Sequence, residues 1–235
     1  MNCPDPLPLD HAKILRYKNH KVRISAFLSS DMEWKDNSLK PTRDAIRKSL
    51  RTTQEQSCFY CRRMIATERR NMGEAIEHFL DKSKPHYRKW AFHPLNLVIA
   101  CQPCNFVKST KDLGNIDVQK AEFLQPHIGE FKWPHPYFDS YSENIKISPG
   151  PVYSPIPGAP RHKQASTMIK DLELNSLANI DDRVQFTARK IQELQKRVFR
   201  TALRQRKFGS EDRYKLYLKE LEHRIDRGLL EIFGI

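Results

Sequence analysis

The chain has few glycines, no long apolar run and no leader-like N-terminus. Only 8 of its 235 residues are glycine while 29% are charged, a balance that favours a largely helical, soluble protein. The longest apolar stretches are too short to span a bilayer, which excludes a membrane-spanning protein. The opening segment "MNCPDPLPLDHAK" lacks the apolar centre of a signal peptide. We therefore expect a cytoplasmic protein with no membrane partner.

A nucleotide-binding loop and an excess of acidic residues are also missing. The pattern G-x-x-x-x-G-K-[ST] does not occur, so any dependence on ATP must come from another chain. Lys and Arg number 41 against 28 Asp and Glu, which gives a formal net charge of +13. This charge favours a polyanionic partner, most simply nucleic acid. A solvated basic surface, or association with ribosomes or membranes, is the alternative.

We predict an α+β fold, in which a small core stabilised by a bound metal lies between mainly helical extensions. Residues 40–56 are predicted to form a helix, because apolar residues lie one turn apart, and Thr42 is its predicted N-cap. Five prolines within 148–160 predict an extended connection. Apolar spacing of three and four residues near the C-terminus predicts two helices in a hairpin, divided at Phe208-Gly209. We predict a mostly helical extension at 1–56 and the core at 57–120. A proline-rich irregular connection follows at 121–164, and a C-terminal helical region with the hairpin at 165–235.

Four of the five cysteines form two C-x-x-C pairs. The pairs are Cys58 with Cys61 and Cys101 with Cys104, and together they predict a closed tetrahedral zinc site of the structural kind. Such a site contributes about 10 kcal/mol or more to folding. The first alternative is buried free thiols, but two C-x-x-C motifs would then have arisen by chance. The second is a redox-active dithiol, which does not explain why the motif occurs twice. We interpret Cys3 as incidental.

The segment between the cysteine pairs carries an acid–histidine pair, Glu77-His78. A neutral imidazole can accept a proton from water near neutral pH. A carboxylate and an amide oxygen suit a hard ion such as Mg²⁺. The ordinary alternative is a buried, hydrogen-bonded histidine. A basic loop and the lysine after the second cysteine pair supply candidate nucleic-acid contacts, namely Lys82, Lys84, Arg88 and Lys108.

The order of these elements resembles the HNH endonuclease family. The matching patterns are E-H-F-x-x-K-S and N-L-V-x-x-C-x-x-C-N-x-x-K, over roughly residues 58–111. The resemblance implies a ββα-metal fold that hydrolyses phosphodiester bonds. It further implies that His78 is the general base and that Asn96 braces the hairpin and orients that base. Glu77 and Asn105 would then be the ligands of a catalytic Mg²⁺ or another divalent ion.

A second, less specific resemblance lies downstream. "HPYFDSY" (135–141), "IKDLELN" (169–175) and Arg183 are similar to the tail of HNH nucleases encoded beside ATPases in bacterial anti-phage systems, such as Septu and retron-associated nucleases. This resemblance implies a DNA-cutting effector with a separate ATPase subunit. Two other classes remain: a non-catalytic, zinc-stabilised nucleic-acid-binding module, and a stand-alone restriction or homing nuclease. The last should carry its own sequence-reading element, and none is evident.

Overall fold

The computed structural model of the chain describes residues 3–30, 32–65, 71–148, 152–177, 191–198, 200 and 211–233. It divides into two compact units. The first comprises Met1–Ile147 with Tyr153–Asn175, and the second comprises Ser148–Val152 with Ser176–Ile235. The described residues combine helices with short strands, so the mixed character predicted from the sequence is confirmed.

The first unit contains seven α-helices within its described residues. They are α1 (Ala12–Leu15), α2 (Lys18–Leu28), α3 (Lys40–Thr53), α4 (Gln102–Lys108), α5 (Ile116–Lys120), α6 (Tyr141–Asn144) and α7 (His162–Asp171). The strands are β1 (Glu74–His78), β2 (Leu97–Cys101), β3 (Ile145–Ser148) and β4 (Val152–Pro155). Short 3₁₀ turns occupy Asn37–Leu39, Arg88–Trp90, Pro94–Asn96 and Leu174–Leu177.

Helix α3 is amphipathic, as its apolar spacing predicts. Ile46 and Leu50 are buried one turn apart. The prediction that Thr42 caps this helix is wrong, because the helix already begins at Lys40 and has a proline in its first turn. Proline suits that position, where its missing N–H would have no helical partner. Thr42 instead lies buried inside the helix, with its Oγ1 2.9 Å from Nδ1 of His20.

Strands β1 and β2 form an antiparallel hairpin, and α4 follows β2 without a loop. The register pairs Glu74 with Cys101 at one end and His78 with Leu97 at the other. A buried amide from the end of α3 completes the hydrogen bonding of β2. Nε2 of Gln54 donates to the carbonyl of Ile99 at 2.9 Å, and its Oε1 accepts from the Ile99 N–H at 2.7 Å. Helix α3 is thereby fixed against the hairpin.

The proline-rich tract is extended, but it is not entirely irregular. Part of it forms β4, which pairs with β3 in a second two-stranded sheet. A two-stranded sheet consists of edges, where proline removes no essential ladder bond. The hydroxyl of Tyr153 in β4 donates to the carbonyl of Cys61 at 2.5 Å, and that of Tyr141 donates to the carbonyl of Tyr60 at 2.8 Å. Tyr153 therefore ties β4 to the first cysteine pair.

In the second unit, residues 191–198 are helical and a long helix, α8, spans Glu211–Phe233. Ile191 and Leu221, two members of the apolar faces predicted from the sequence, are buried. The predicted break at Phe208-Gly209 lies outside the described residues. None of the helices in the described ranges is both long enough and apolar enough to cross a bilayer.

Candidate functional site

The four cysteines of the two pairs form one cluster. The Sγ atoms all lie within 4.8 Å of one another, and they belong to Cys58, Cys61, Cys101 and Cys104. Sγ of Cys61 and Sγ of Cys101 are 3.8 Å apart. A tetrahedron of sulfurs, each about 2.3 Å from a central zinc, has edges of about 3.8 Å. The geometry therefore fits a zinc ion, and the predicted clustering of the four cysteines, positioned to hold a metal, is confirmed.

The cluster joins the elements that carry the other candidate residues. The first pair lies in the turn after α3, Cys101 ends β2 and Cys104 lies in α4. The N–H of Phe59 donates to the carbonyl of Ile99 at 3.0 Å, which ties the first pair to β2. Burial raises the pKa of the Cys58 thiol well above its usual range. A zinc ion would offset this by stabilising the thiolate.

His78 is the last residue of β1, where the hairpin opens. Its side chain is almost wholly buried, and its Nε2 lies 3.0 Å from the carbonyl oxygen of Ala91. Because a carbonyl only accepts, Nε2 carries the proton and Nδ1 is left as the acceptor nitrogen. Burial, then the positive charges of Lys82 and Lys108, lower the pKa of His78 well below its usual range. The imidazole is therefore neutral at pH 7.

Asn96 braces the loop between the two strands. Its Oδ1 accepts from the N–H of Leu80 at 2.7 Å, while its Nδ2 donates to the carbonyls of Leu80 at 3.0 Å and Trp90 at 3.1 Å. The residue after Trp90 is Ala91, whose carbonyl holds His78. Asn96 thus fixes the backbone next to the carbonyl that holds the imidazole.

Trp34, which the sequence analysis did not single out, packs on the candidate base. Its ring meets that of His78 edge to face, with centroids 4.5 Å apart. Arg43 of α3 anchors this segment by donating to the carbonyls of Trp34 at 2.5 Å and Asp36 at 2.8 Å. No local pattern links positions 34 and 78, so only the folded chain reveals this contact.

Arg88 has a structural position in place of the predicted phosphate contact. Its Nη2 donates to the carbonyls of Ser30 and Met32, each at 2.9 Å, and its guanidinium stacks 4.3 Å from the ring centre of Phe27. Two backbone carbonyls and one aromatic ring, all on the segment from Phe27 to Met32, therefore hold this guanidinium in place. Arg88 fastens the segment that leads to Trp34.

Lys108 is buried beside Glu77, also in place of the predicted phosphate contact. Its side chain is 1% exposed, and its Nζ lies 2.5 Å from Oε1 of Glu77 and 2.8 Å from the backbone oxygen of His78. Burial raises the pKa of Glu77, and the Lys108 ammonium counteracts part of that effect. The two charges form a buried ion pair at the foot of the candidate site.

An open cleft of about 640 Å³ brings several predicted residues together. Glu77, His78, Asn105 and Lys82 all line it, together with Trp34. Lys84, Arg88, Asn96 and Lys108 are not among its lining residues. His86, a histidine in the loop between β1 and β2, also lies outside the lining and faces Asp112, with 3.6 Å between Nε2 and Oδ2.

The cleft lining carries side-chain oxygens, among them the carboxylates of Glu74, Glu77 and Asp81. Glu77 contributes a carboxylate and Asn105 an amide, which is the donor chemistry that Mg²⁺ accepts. In the described part of the chain, the cysteine tetrad is the one clustered group of three or more metal-type side chains.

The downstream motif packs on the same core. The hydroxyl of Tyr137 donates to the carbonyl of Leu97, and Nε1 of Trp133 donates to Oδ2 of Asp171 at 3.0 Å. Both contacts lie within the first unit. Arg183 lies outside the described residues.

Comparison with protein-family models, with curated proteins and with solved structures finds no match to this chain.

Proposed function

We propose that this protein is a metal-dependent HNH-type endonuclease that hydrolyses phosphodiester bonds of DNA. The observation that carries the proposal is His78: a neutral imidazole at the end of β1, held through Nε2 so that Nδ1 is the acceptor nitrogen, in the lining of a cleft shared with Glu77 and Asn105. That combination matches the needs of phosphodiester hydrolysis.

Each group has a part in the proposed reaction. Nδ1 of His78 accepts the proton of an attacking water, while the Ala91 carbonyl keeps the other nitrogen protonated and the ring oriented. Trp34 limits rotation of the ring. Lys82 lines the cleft and contributes positive charge toward the phosphate. A divalent ion held by Glu77 and Asn105 would neutralise charge on the scissile phosphate and on the leaving oxygen.

The biological setting that we propose is an anti-phage effector controlled by a separate ATPase subunit. The tail resemblance and the missing nucleotide-binding loop support this setting. Two residues of the tail motif, Tyr137 and Asp171, make hydrogen bonds within the first unit. A copurification of this chain with an ATPase, followed by cleavage assays with and without ATP, tests the setting independently of the chemistry.

The test of the chemistry is plasmid nicking by His78→Ala. Loss of a general base should lower the cleavage rate by roughly 10² to 10⁴-fold. Zinc content and DNA affinity should be retained, because the imidazole contributes little to ground-state binding. The assay is run with any ATPase partner present, in case the isolated chain is silent.

His86→Ala is the matched control, since this histidine lies in the loop that follows β1 but outside the cleft lining. It should cut at close to the wild-type rate. Asn105→Ala should lose cleavage in a way that a higher Mg²⁺ concentration partly restores, whereas His78→Ala should show no such rescue. Full activity of His78→Ala would contradict the mechanism. Equal rescue of both variants by Mg²⁺ would mean that His78 is a ligand of the divalent ion and not the general base.

The second candidate function is a non-catalytic, zinc-stabilised nucleic-acid-binding module. The observation that favours it is the ion pair between Glu77 and Lys108, because a carboxylate satisfied by an ammonium needs no metal. A wild-type protein that binds DNA but cleaves no plasmid with any divalent ion, with or without the partner, would support this candidate.

A further inference from the structure

Lys108 is one of the few charged side chains that the first unit buries almost completely. It lies in the last turn of α4, where a cation is favoured by the helix dipole. Lysine is almost never buried unless it is paired. Here the pairing is specific: the ammonium contacts Oε1 of Glu77 at 2.5 Å and the backbone oxygen of His78 at 2.8 Å. The side chain therefore fixes the carboxylate and the end of β1 at once.

This contact has a consequence for cation binding in the cleft. An ion at Glu77 would share the carboxylate with a fixed ammonium, and two cations around one carboxylate repel each other strongly at low exposure to water. The carboxylate of Asp81 also lines the cleft, but the N–H of Ser83 at 3.0 Å and the Ser83 hydroxyl at 2.5 Å occupy part of its capacity to accept a further ligand. Lys82 adds further positive charge at the same wall.

A phosphate group would change this balance. Its negative charge in the cleft offsets the repulsion between the ammonium and the ion, and its oxygens supply ligands that the protein lacks. Cation binding and nucleic-acid binding should then favour each other, as linkage requires. A neutral residue at position 108 would remove the repulsion without any phosphate.

We propose that Lys108 is a positioning residue that acts as the built-in counter-ion of Glu77 and makes divalent-cation binding depend on nucleic acid. The ammonium holds the carboxylate in place in the free protein, and it weakens cation binding there until a phosphate enters the cleft. This inference rests on the proposed function, in which Glu77 is a ligand of the catalytic ion.

The test measures binding of Mn²⁺ to zinc-loaded full-length protein by electron paramagnetic resonance, without nucleic acid. Lys108→Gln keeps a donor near the His78 backbone oxygen and removes the charge, and Lys108→Met removes both. Each should bind Mn²⁺ at least about tenfold more tightly than wild type, given the size of charge interactions at such short range. Adding Glu77→Gln to Lys108→Gln should abolish the gain.

Lys35→Met is the matched control. Lys35 lines the same cleft and carries the same charge, but it is exposed and makes no ion pair with Glu77. Its loss should change Mn²⁺ affinity by less than about threefold, because an exposed charge is screened by water. An equal gain in Lys35→Met and Lys108→Gln would reduce the effect to general cleft charge and overturn the proposal.

Equal Mn²⁺ affinity in Lys108→Gln and wild type overturns the proposal outright. Zinc content and circular dichroism show whether the variants are folded. If both Lys108 variants unfold, the test is made on the wild-type protein instead. Wild type should bind Mn²⁺ about tenfold more tightly with an uncleavable phosphorothioate duplex than without it, and Glu77→Gln should lose that gain. Absence of the gain overturns the proposal. Wild-type plasmid nicking is measured separately, so failure of the nuclease assignment is distinguished from failure of the counter-ion role.

Discussion

Replacement of Asn96 by alanine tests how the loop between β1 and β2 is held. Asn96 is wholly buried, and its amide makes three hydrogen bonds to the backbone of Leu80 and Trp90. Alanine removes all three while leaving the backbone course of the 3₁₀ turn at Pro94–Asn96 undisturbed. The variant therefore isolates the brace from the rest of the hairpin.

The magnitude follows from these bonds. A buried hydrogen bond contributes about 1 kcal/mol net, so three give about 3 kcal/mol, and the backbone groups left without partners raise the cost. We expect Asn96→Ala to lose about 3 to 5 kcal/mol of unfolding free energy. Because Trp90 precedes the residue that orients His78, cleavage by the protein that remains folded should also fall by roughly 10²-fold.

The assay is urea unfolding followed by tryptophan fluorescence at a fixed free zinc concentration, paired with plasmid nicking under folding conditions. Asn144→Ala is the matched control. Asn144 is also buried, and its amide makes two hydrogen bonds, to the Ser140 carbonyl at 2.6 Å and from the Arg161 N–H at 2.7 Å. It lies outside the cleft lining. We expect a loss of about 2 kcal/mol with unchanged nicking.

Two results would refute the reasoning. A loss below about 1 kcal/mol in Asn96→Ala would mean that the three bonds do not brace the loop. Equal loss of nicking in Asn96→Ala and Asn144→Ala would mean that general destabilisation, and not orientation of His78, sets the activity.

Three further outcomes are expected. Cys104→Ser should lose bound zinc, measured by mass spectrometry, and with it cooperative unfolding; a folded variant without zinc would contradict a structural site. Reversing the charges of Lys82 and Lys84 should weaken DNA binding and flatten its salt dependence, whereas Arg88→Glu should chiefly lower the unfolding midpoint, because Arg88 binds three backbone carbonyls. Burial lowers the pKa of His135 well below its usual range, so the unfolded chain binds a proton there that the folded chain does not. Stability should therefore fall as the pH drops below about 6.5, by up to about 1.4 kcal/mol per pH unit for this group, and His135→Phe should reduce that slope in urea unfolding between pH 5 and 7.

The sequence by itself determined the metal cluster and the order of the candidate residues around it. Two C-x-x-C pairs carry their own geometric constraint, because four thiolates can satisfy one ion only by coming together. The residue pair Glu77-His78 and the placement of Asn96 before an apolar run were equally local signals. The hairpin and helix that join them were expected from the family resemblance, which rests on the order and spacing of these residues.

Only the tertiary structure decided which charged side chains face the cleft. Lys82, Arg88 and Lys108 look alike in the sequence as basic residues near a candidate site. Folding leaves Lys82 in the cleft wall, commits Arg88 to three backbone carbonyls and buries Lys108 against Glu77. The partners of Arg88 lie more than fifty residues away in the chain, and no periodicity encodes such a contact. The reason is physical: a lysine or arginine has the same local propensity whether its charge is solvated or paired, so its role is set by what the fold brings next to it.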